Sequence, residues 1–502
     1  MPSKKSAAPA RALRAHPHLY EINTLVWLES LSARLGRNIT LADVPDSEWD
    51  TLARLGFDIV WLMGVWQRSP ESRRVMLIET ANFAGYSQTL PQWKPADVAG
   101  SPYAVKQYVP DARIGAWEGL DRVRDKLRQR GMALFLDFVG NHTAPDHPWV
   151  GEHPDFYVRL SPEECRRNPG AFFPADTKQG GYFAALGRDP YFPPWKDVAQ
   201  LNYFDAALRA AMIAELAKIA QHCDGVRCDM AMLQLTDIFA NIWGRFLGHA
   251  PRPAKEFWEE AHAAVPELIL LAEAYWGTES RLLDLGFSFV YDKETYDAVR
   301  DSHVDNVRAR LHAGLAYNSR LARFLENHDE PRRASAIGND RLPAAAALMG
   351  TLPGLRFYQH GEIQGHRNRI SIMLRAAAEE PPDPTSVKVF QKILEVSNRE
   401  ALHSGAWSLL EVGPEGDASS QNLIAYEWRL QKSWQMIVVN LTGGAAQGRL
   451  RLRDRVAPAQ QYIFHDELNG VRYPRDGKEL QEAGLFVRLE ASQAHLFDIT
   501  PA

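Results

Sequence analysis

The sequence predicts an α/β protein built on a (β/α)₈ barrel, with an inserted loop domain after the third strand and a C-terminal antiparallel β-sandwich. Three observations predict it. Eight short, almost uninterrupted apolar segments, several of which end in a polar or acidic residue, alternate with segments of helical spacing. The alternation is interrupted once, and after about residue 405 it gives way to alternating apolar and polar positions. Strands covered by helices outside and filled by side chains inside need such apolar runs.

The barrel is predicted over 19–142 and 201–404. Segments such as EWDTLARLG (48–56), EGLDRVRDKLRQRG (118–131) and DAALRAAMIAELAKIAQHC (205–223) have helical spacing. The eight candidate strands of this TIM barrel are LYEINTLVW (19–27), GFDIVWLM (56–63), ALFLD (133–137), GVRCD (225–229), LILLAE (268–273), FSFVYD (287–292), RFLENHD (323–329) and GLRFYQ (354–359).

Two further units and a tail complete the predicted organisation. Residues 143–200 contain no clear helix–strand pair and are rich in aromatic residues, so we expect a small inserted domain there. Short alternating segments separated by turn-rich pieces predict a β-sandwich over 405–502. Residues 1–18 are basic, with no apolar stretch behind the charges, and predict a disordered tail.

Composition excludes several classes of partner. The 502 residues carry a net charge of −5, which provides no electrostatic reason to expect nucleic acid or an anionic membrane. No apolar run approaches the roughly 20 residues of a membrane span. Three cysteines in a long chain do not make a disulfide framework. The cytoplasm is the expected location.

Four acidic residues end four of the candidate strands: Asp137, Asp229, Glu273 and Asp329. The carboxyl ends of parallel barrel strands converge on one mouth, so these carboxylates are expected to share one pocket. Their mutual repulsion needs relief from cations, hydrogen bonds or protonation of one member. Arg227 stands two residues before Asp229, which places both on the same face of a strand, where the guanidinium can keep the carboxylate ionised.

The motifs around these residues resemble those of the α-amylase family, glycoside hydrolase family 13. DFVGNH (137–142), GVRCD (225–229), Glu273 within LLAEAYW and FLENHDEPR (324–332) occur in the family's order. SPYAVKQY (101–108) is similar to the segment whose aromatic residue floors the first sugar subsite, which corresponds to Tyr103. The resemblance covers about 19–500.

The resemblance implies a retaining enzyme that acts on α-glucosidic bonds by double displacement. Asp229 would be the nucleophile that forms a glycosyl-enzyme intermediate. Glu273 would be the acid and then the base, with a pKa raised by burial and neighbouring negative charge. Asp329 would stabilise the transition state.

Five further residues are implied to bind the substrate or orient the ring. His142 and His328 are expected to be uncharged hydrogen-bond donors, and Asp137 to brace the site from the third strand. The substrate-binding set is Tyr103, Asp137, His142, Arg227 and His328.

The sequence departs from the family's pattern in two places. Members that act on long starch chains often have Lys-His three and four residues after the nucleophile, where this chain has Met232 and Leu233. Asn141 matches a calcium-ligating position of many members, but its usual acidic partner is replaced by Gln200. A neutral amide is a poor substitute for a carboxylate in a Ca²⁺ site, so no cofactor is expected to be required, with calcium at Asn141 as the alternative.

Alternatives remain open at this point. The same site could transfer the glycosyl group to a sugar instead of to water. A non-catalytic relative that only binds sugar is a second interpretation, and a metal-dependent barrel hydrolase using the same acids as ligands is a third. The 14 tryptophans are about twice the average usage. We expect the excess aromatic residues to line the barrel mouth, with Trp66, Trp93, Trp195 and Trp276 in or near loops after the strands.

Overall fold

The computed structural model describes residues 13–178, 180–248 and 250–502. Its centre is a closed, parallel, eight-stranded barrel in which strands adjacent in the predicted order pair with one another. The barrel closes where the first strand pairs with the eighth, with Leu19 opposite Phe357. The predicted fold class is confirmed. The barrel strands are His18–Asn23, Ile59–Met63, Ala133–Phe138, Gly225–Cys228, Ile269–Ala272, Phe289–Tyr291, Leu321–Arg323 and Leu355–Gln359.

Two strand ends differ from the sequence prediction. The first strand stops at Asn23, because the Asn23 side chain accepts a hydrogen bond from the Val26 N–H and begins a helix, Thr24–Leu35. The seventh strand ends at Arg323, and the predicted continuation to Asp329 is a loop. The other α-helices around the barrel are Asp46–Arg54, Pro70–Ile78, Phe83–Thr89, Trp117–Gln129, Ala206–Ile219, Thr236–Trp243, Phe257–Ala264, Glu279–Asp284, Lys293–Arg300, Val304–Leu311, Gly314–Asn318, Arg333–Ala336, Leu342–Thr351, Pro384–Ser397 and Ala401–Ser404.

The barrel interior is a small apolar core that contains two charged residues of special importance. Leu19, Trp61 and Phe135 belong to this core, as side chains on alternate positions of the strands point inward. Glu21 shares the inward parity of Leu19, and Arg227 is fully buried in the fourth strand. Charges buried this deeply require partners. The partners of Glu21 and Arg227 lie at the carboxyl ends of the strands.

The inserted segment leaves the barrel after the third strand. A short antiparallel pair, His142–Thr143 with Ala199–Gln200, joins the two ends of the insertion. Between them lies a three-stranded sheet in the order Arg159–Leu160, Gly180–Ala185, Phe172–Thr177, with helices Pro148–Glu152 and Pro162–Arg167.

The C-terminal unit is built from antiparallel sheets. One face of its larger sheet packs on the barrel, where Trp428 Nε1 donates to the Thr351 carbonyl at 2.9 Å and the Tyr426 hydroxyl lies 2.7 Å from that of Thr351. The opposite face packs on the smaller sheet. The six-stranded sheet runs in the order Ala406–Leu410, Leu423–Leu430, Ser433–Asn440, Ala494–Pro501, Gln461–Asp466, Val471–Asp476, the three-stranded sheet is Val412–Gly413, Ala446–Leu450, Leu485–Leu489, and one helix is Gly477–Glu482.

The prediction of a disordered tail over 1–18 is wrong at the C-terminal end of that range, where the chain is ordered. Residues 1–12 lie outside the described part of the chain. Arg14 forms an ion pair with Asp58 at 2.6 Å, and the His16 ring packs 5.0 Å from Trp428. The first barrel strand already begins at His18. These partners are distant in sequence, which is why local composition did not reveal them.

Neither a membrane span nor a disulfide is found in the described ranges. No helix there has the length and apolar character needed to cross a bilayer. The three cysteines are buried as free thiols.

Asp224 stabilises the end of the barrel away from the strand carboxyl ends. Its side chain is 4% exposed, lies 2.6 Å from Arg128 and 3.0 Å from Arg124, and accepts the Leu134 N–H at 2.9 Å. We expect Asp224→Asn to lower the free energy of unfolding by about 2 kcal/mol, since both guanidinium groups lose a buried partner. Urea unfolding measures this loss.

The matched control is Asp305→Asn, because the Asp305 side chain is 90% exposed although it also pairs with an arginine, Arg308. This substitution should lower the free energy of unfolding by less than about 0.5 kcal/mol. Equal destabilisation by the two substitutions would contradict the role of Asp224.

Candidate active site

A cavity of about 940 Å³ opens at the carboxyl ends of the barrel strands, beside the inserted segment. Five of the residues predicted for the site line it: Asp229, Glu273, Asp329, Tyr103 and His142. The other three, Asp137, Arg227 and His328, are almost completely buried immediately behind this lining. The structure therefore brings the predicted residues together in two layers.

Arg227 contacts two of the carboxylates with separate nitrogens of its guanidinium. Nη1 donates to Asp229 Oδ1 at 2.7 Å, and Nη2 lies 2.8 Å from Glu273 Oε2. The Arg227 side chain is fully buried, so these contacts are poorly screened. Burial alone would lower the pKa of Arg227, but Glu273 and the other neighbours hold that pKa well above its usual value.

The backbone after Asp229 connects the nucleophile candidate to the acid/base candidate. Met230 has a φ of 44° in the left-handed region, which is uncommon for a residue other than glycine. Its N–H donates to Glu273 Oε2 at 2.7 Å. The other Glu273 oxygen, Oε1, accepts from the Tyr275 hydroxyl at 2.8 Å. Both oxygens of Glu273 thus have assigned partners.

The surroundings of Asp229 and Glu273 shift the pKa of both carboxyl groups upward. Burial raises the pKa of Glu273 to about 7, and the charges of Asp229 and Asp329 add to this rise against the opposing effect of Arg227. Burial also raises the pKa of Asp229, although the Arg227 contact opposes the shift. Near neutral pH, Glu273 can therefore hold a proton.

Asp329 is held by a histidine that carries a positive charge. His328 Nδ1 lies 2.5 Å from Glu21 Oε1, and its Nε2 lies 3.0 Å from Asp329 Oδ2. Burial works to lower the pKa of His328, but the two carboxylates raise it to about 10. Partial burial works to raise the pKa of Asp329, and His328 nevertheless holds it well below its usual range. The expectation of an uncharged His328 is therefore wrong.

Asp137 braces the loop after the second strand and does not face the cavity. Its Oδ2 accepts the Gly64 N–H at 2.6 Å, and its Oδ1 accepts from Trp61 Nε1 at 3.1 Å. The Asp137 carbonyl accepts from Trp66 Nε1 at 2.8 Å. Burial is the main reason why the pKa of Asp137 is raised to about 6.

Tyr103 and His142 occupy neighbouring parts of the cavity wall. The Tyr103 ring stacks on His328 with centroids 5.3 Å apart and lies 5.3 Å from the Arg227 guanidinium. His142 Nε2 lies 3.1 Å from the Tyr103 carbonyl. Burial lowers the pKa of His142 to about 4, which favours the uncharged ring, and its role as a donor to a sugar hydroxyl stays a prediction.

Asn141 does not offer a calcium site. Its side-chain oxygen accepts from Gln200 Nε2 at 3.0 Å, and its nitrogen donates to Gln200 Oε1 at 3.3 Å. Both amides are buried, and each provides hydrogen-bond partners for the other. Within the described ranges, no three His, Cys, Asp or Glu side chains are grouped to hold a metal ion. The side chains present do not fit Ca²⁺.

The four tryptophans expected near the barrel mouth divide into two pairs. Trp195 and Trp276 line the cavity. Trp66 is fully buried, and Trp93 is partly buried in a separate small cluster, where its ring packs on Phe83. Met232 and Leu233 are buried as well.

Sequence reasoning missed three residues that contact the site: Glu21, Tyr275 and Tyr291. Glu21 was detectable as the one acidic residue within its own apolar strand, His18–Asn23. Tyr275 stands two residues after Glu273, but its hydroxyl contact depends on the loop conformation. The Tyr291 hydroxyl accepts from Arg227 Nε at 3.3 Å, and no local signal marks it.

Comparison with known proteins supports the assignment of this cavity. The family model described as "Alpha amylase, catalytic domain" matches residues 47–403. The curated relative "Alpha-amylase MalA" of Haloarcula japonica is 24% identical over 343 residues, which are 65% of this chain and 45% of the relative. The maltosyltransferase "Alpha-1,4-glucan:maltose-1-phosphate maltosyltransferase" of Salinibacter ruber is 23% identical over 90% of this chain and 64% of its own length.

The chain thus spans about half to two thirds of the length of these relatives. Among solved structures, a noncanonic maltogenic α-amylase, AmyB from Thermotoga neapolitana, superposes with a TM-score of 0.67 at 17% identity and covers 96% of this chain and 98% of that one. That likeness concerns the fold. The family model covers most of the chain, and its match includes Asp229, Glu273 and Asp329, so the chain belongs to the α-amylase family.

Proposed function

We propose that the chain is a retaining enzyme that acts on α-glucosidic bonds by double displacement. The observation that carries this proposal is the shared guanidinium of Arg227, which contacts Asp229 and Glu273 with separate nitrogens at 2.7 and 2.8 Å. Retaining glycosidases need two carboxyl groups about 5 Å apart, and side chains bound to one guanidinium are held close together. Glu273, whose pKa is about 7, can be protonated near neutral pH, as the role of the acid requires.

In the first step, Asp229 attacks the anomeric carbon and forms a glycosyl-enzyme ester. Asp229 Oδ1 is engaged by Arg227, whereas Oδ2 has no hydrogen bond to any residue that the structure describes, which makes it the attacking atom. Glu273 delivers its proton to the departing glycosidic oxygen. Because Oε2 receives the Met230 N–H, the transferable proton is expected on Oε1.

In the second step, Glu273 acts as a base. Its carboxylate takes a proton from water or from a sugar hydroxyl, whose oxygen then attacks the anomeric carbon and releases Asp229. Asp329 stabilises the positive charge that develops on the sugar ring, and His328 and Arg227 keep Asp329 ionised.

Transfer to a sugar is the second candidate outcome of this mechanism. It is favoured by the alignment with the Salinibacter ruber maltosyltransferase, which extends over 90% of this chain. Chromatography of the products from maltose, isomaltose, trehalose, sucrose and maltooligosaccharides distinguishes the two outcomes. Products longer than the substrate support transfer, whereas shorter products alone support hydrolysis.

Removal of either catalytic carboxylate should abolish turnover. We expect Asp229→Asn and Glu273→Gln to reduce kcat/KM on maltooligosaccharides about 10³-fold or more. For Glu273→Gln the loss on α-glucosyl fluoride should be much smaller, since fluoride departs without a proton. Steady-state kinetics on both substrates measures the effect.

Asp305→Asn is the control, since this exposed carboxylate lies outside the cavity. Variants at Asp229 or Glu273 that stay within tenfold of the unaltered chain on every α-glucoside would overturn the proposed function.

The pH dependence should report the protonation of Glu273. Glu273 must be protonated in the first step and its pKa is about 7, so kcat/KM should fall as the pH rises above about 7. Tyr275→Phe removes a donor to the carboxylate, which disfavours the charged form and raises the pKa of Glu273. The alkaline limb should therefore move to higher pH, as measured by a pH–rate profile.

Tyr182→Phe is the matched control. It removes a tyrosine hydroxyl that donates to the Val150 carbonyl at 2.9 Å in the inserted segment. Its profile should coincide with that of the unaltered chain. A limb that moves to lower pH in Tyr275→Phe would contradict the assigned contact.

A further inference from the structure

The loop after the seventh barrel strand carries part of the site but contains neither helix nor strand over 324–332. Asp229 and Glu273 directly follow the fourth and fifth strands, whereas Asp329 stands in the middle of this loop. A side chain on a loop has more freedom than one at a strand end, and a group that meets developing charge tolerates little displacement. The Asp329 loop therefore needs an anchor that the other two carboxylates do not need.

A buried ion pair closes this loop. Arg332 Nη1 lies 2.5 Å from Glu326 Oε1, and the two residues stand six positions apart in sequence. The side chains of Glu326 and Arg332 are 1% and 2% exposed, so water screens their attraction poorly. The second oxygen of Glu326 accepts the N–H of Arg333, which begins the next helix. We call residues 326–332 the closed loop.

The closed loop is also held from within and from the eighth strand. Asn327 Oδ1 accepts the Asp329 N–H at 2.9 Å, which fixes the backbone of Asp329 inside the loop. Arg332 Nη1 lies 2.9 Å from Gln359 Oε1 and 2.9 Å from the His360 carbonyl. Because Gln359 ends the eighth strand, the same guanidinium joins the closed loop to the barrel.

The Asp329 side chain depends on this backbone for its position. It is 42% exposed, and its Oδ2 lies 3.0 Å from Nε2 of His328, which belongs to the same loop and also contacts Glu21. Arg227, outside the loop, lies 3.9 Å from Asp329 Oδ2. A shift of the closed loop would therefore carry Asp329 with it.

We propose that Glu326 and Arg332 are positioning residues, whose ion pair fixes the closed loop so that Asp329 faces the sugar ring. Both side chains lie outside the lining of the cavity, so they act through the loop and not on the substrate. This inference rests on the proposed function, because it takes the role of Asp329 from that mechanism. In a loosened loop, the positively charged transition state loses more stabilisation than the neutral substrate does.

The variant that tests this role removes both charges together, as Glu326→Gln/Arg332→Met. Loss of one partner leaves an uncompensated buried charge, whereas neutral replacements of similar size for both partners are often tolerated by the fold. We expect kcat on maltotriose to fall about tenfold while KM stays within about threefold, because Asp329 acts mainly in the transition state. Steady-state kinetics measures both parameters.

Ligand affinities separate positioning from stability. Calorimetry compares deoxynojirimycin, a glucose-shaped cation, with maltose, which is neutral. In the double variant we expect binding of the cation to weaken about tenfold and binding of maltose to stay within about twofold, since only the cation depends strongly on the charge of Asp329. A protein that is merely less stable would lose the same proportion of its affinity for both ligands.

Glu427→Gln/Arg455→Met is the matched control. Glu427 is 5% exposed and lies 2.7 Å from Arg455, so this pair is also largely buried, but it belongs to the C-terminal unit. The control should leave kcat and both affinities unchanged. An unchanged ratio of the two affinities in Glu326→Gln/Arg332→Met, or an equal change in the control, would overturn the positioning role.

Arg332→Lys decides the outcome if the double variant does not fold. It keeps a positive charge opposite Glu326, but an ammonium group does not reproduce the planar set of contacts that the guanidinium makes with Gln359 and His360. We expect binding of deoxynojirimycin to weaken about threefold, with maltose affinity unchanged. In that case, unchanged affinity for the cation would overturn the proposal.

A measurement without ligand distinguishes this inference from the proposed function. The charge of Asp329 helps to raise the pKa of His328, so an NMR titration of the His328 ring should give a lower pKa in Glu326→Gln/Arg332→Met than in the unaltered chain. An unaltered chain that turns over no α-glucoside would overturn the proposed function alone. An unchanged pKa of His328 would then overturn the fixing of the loop by the ion pair.

Discussion

The ion pairs of Arg227 are the interaction on which the site depends. A guanidinium buried in the barrel is tolerated only when carboxylates compensate its charge, and two carboxylates this close repel each other unless a cation lies between them. Removal of Arg227 or of either carboxylate leaves an uncompensated charge in a poorly solvated part of the protein. The rest of the cavity is arranged around this requirement, since Asp229 and Glu273 end the strands on either side of the contact.

A second set of charged residues supports another wall of the cavity. Glu21, His328 and Asp329 form a chain of alternating charge that begins inside the first barrel strand and ends at the cavity. Its middle member is fixed further by stacking on Tyr103. Because side chains with several buried partners have little freedom to reorient, both walls keep their geometry before a substrate arrives.

Local sequence patterns predict most of the fold and the reacting groups. They fail where the charge or the position of a residue depends on neighbours that are distant in sequence. The eight strands follow from apolar runs, and Asp229 and Glu273 follow from their places directly after strands, whereas Asp329 lies in the loop after the seventh strand. The raised pKa of His328 depends on Asp329, its neighbour in the chain, and on Glu21, which lies 307 residues earlier and reaches the ring only through the fold. Arg14 and His16 were missed for the same reason, whereas Asn23 ends its strand through a cap that a closer reading of the sequence could detect.

The charges of the site do not balance when no substrate is bound, because its carboxylates outnumber its cations. With Glu273 protonated, the carboxylates Glu21, Asp229 and Asp329 outnumber the cations Arg227 and His328 by one, and Asp137 adds further negative charge behind them. A neutral sugar does not correct this imbalance. In the proposed mechanism an oxocarbenium-like ring would do so, and the excess negative charge of these carboxylates would then be compensated only in the transition state.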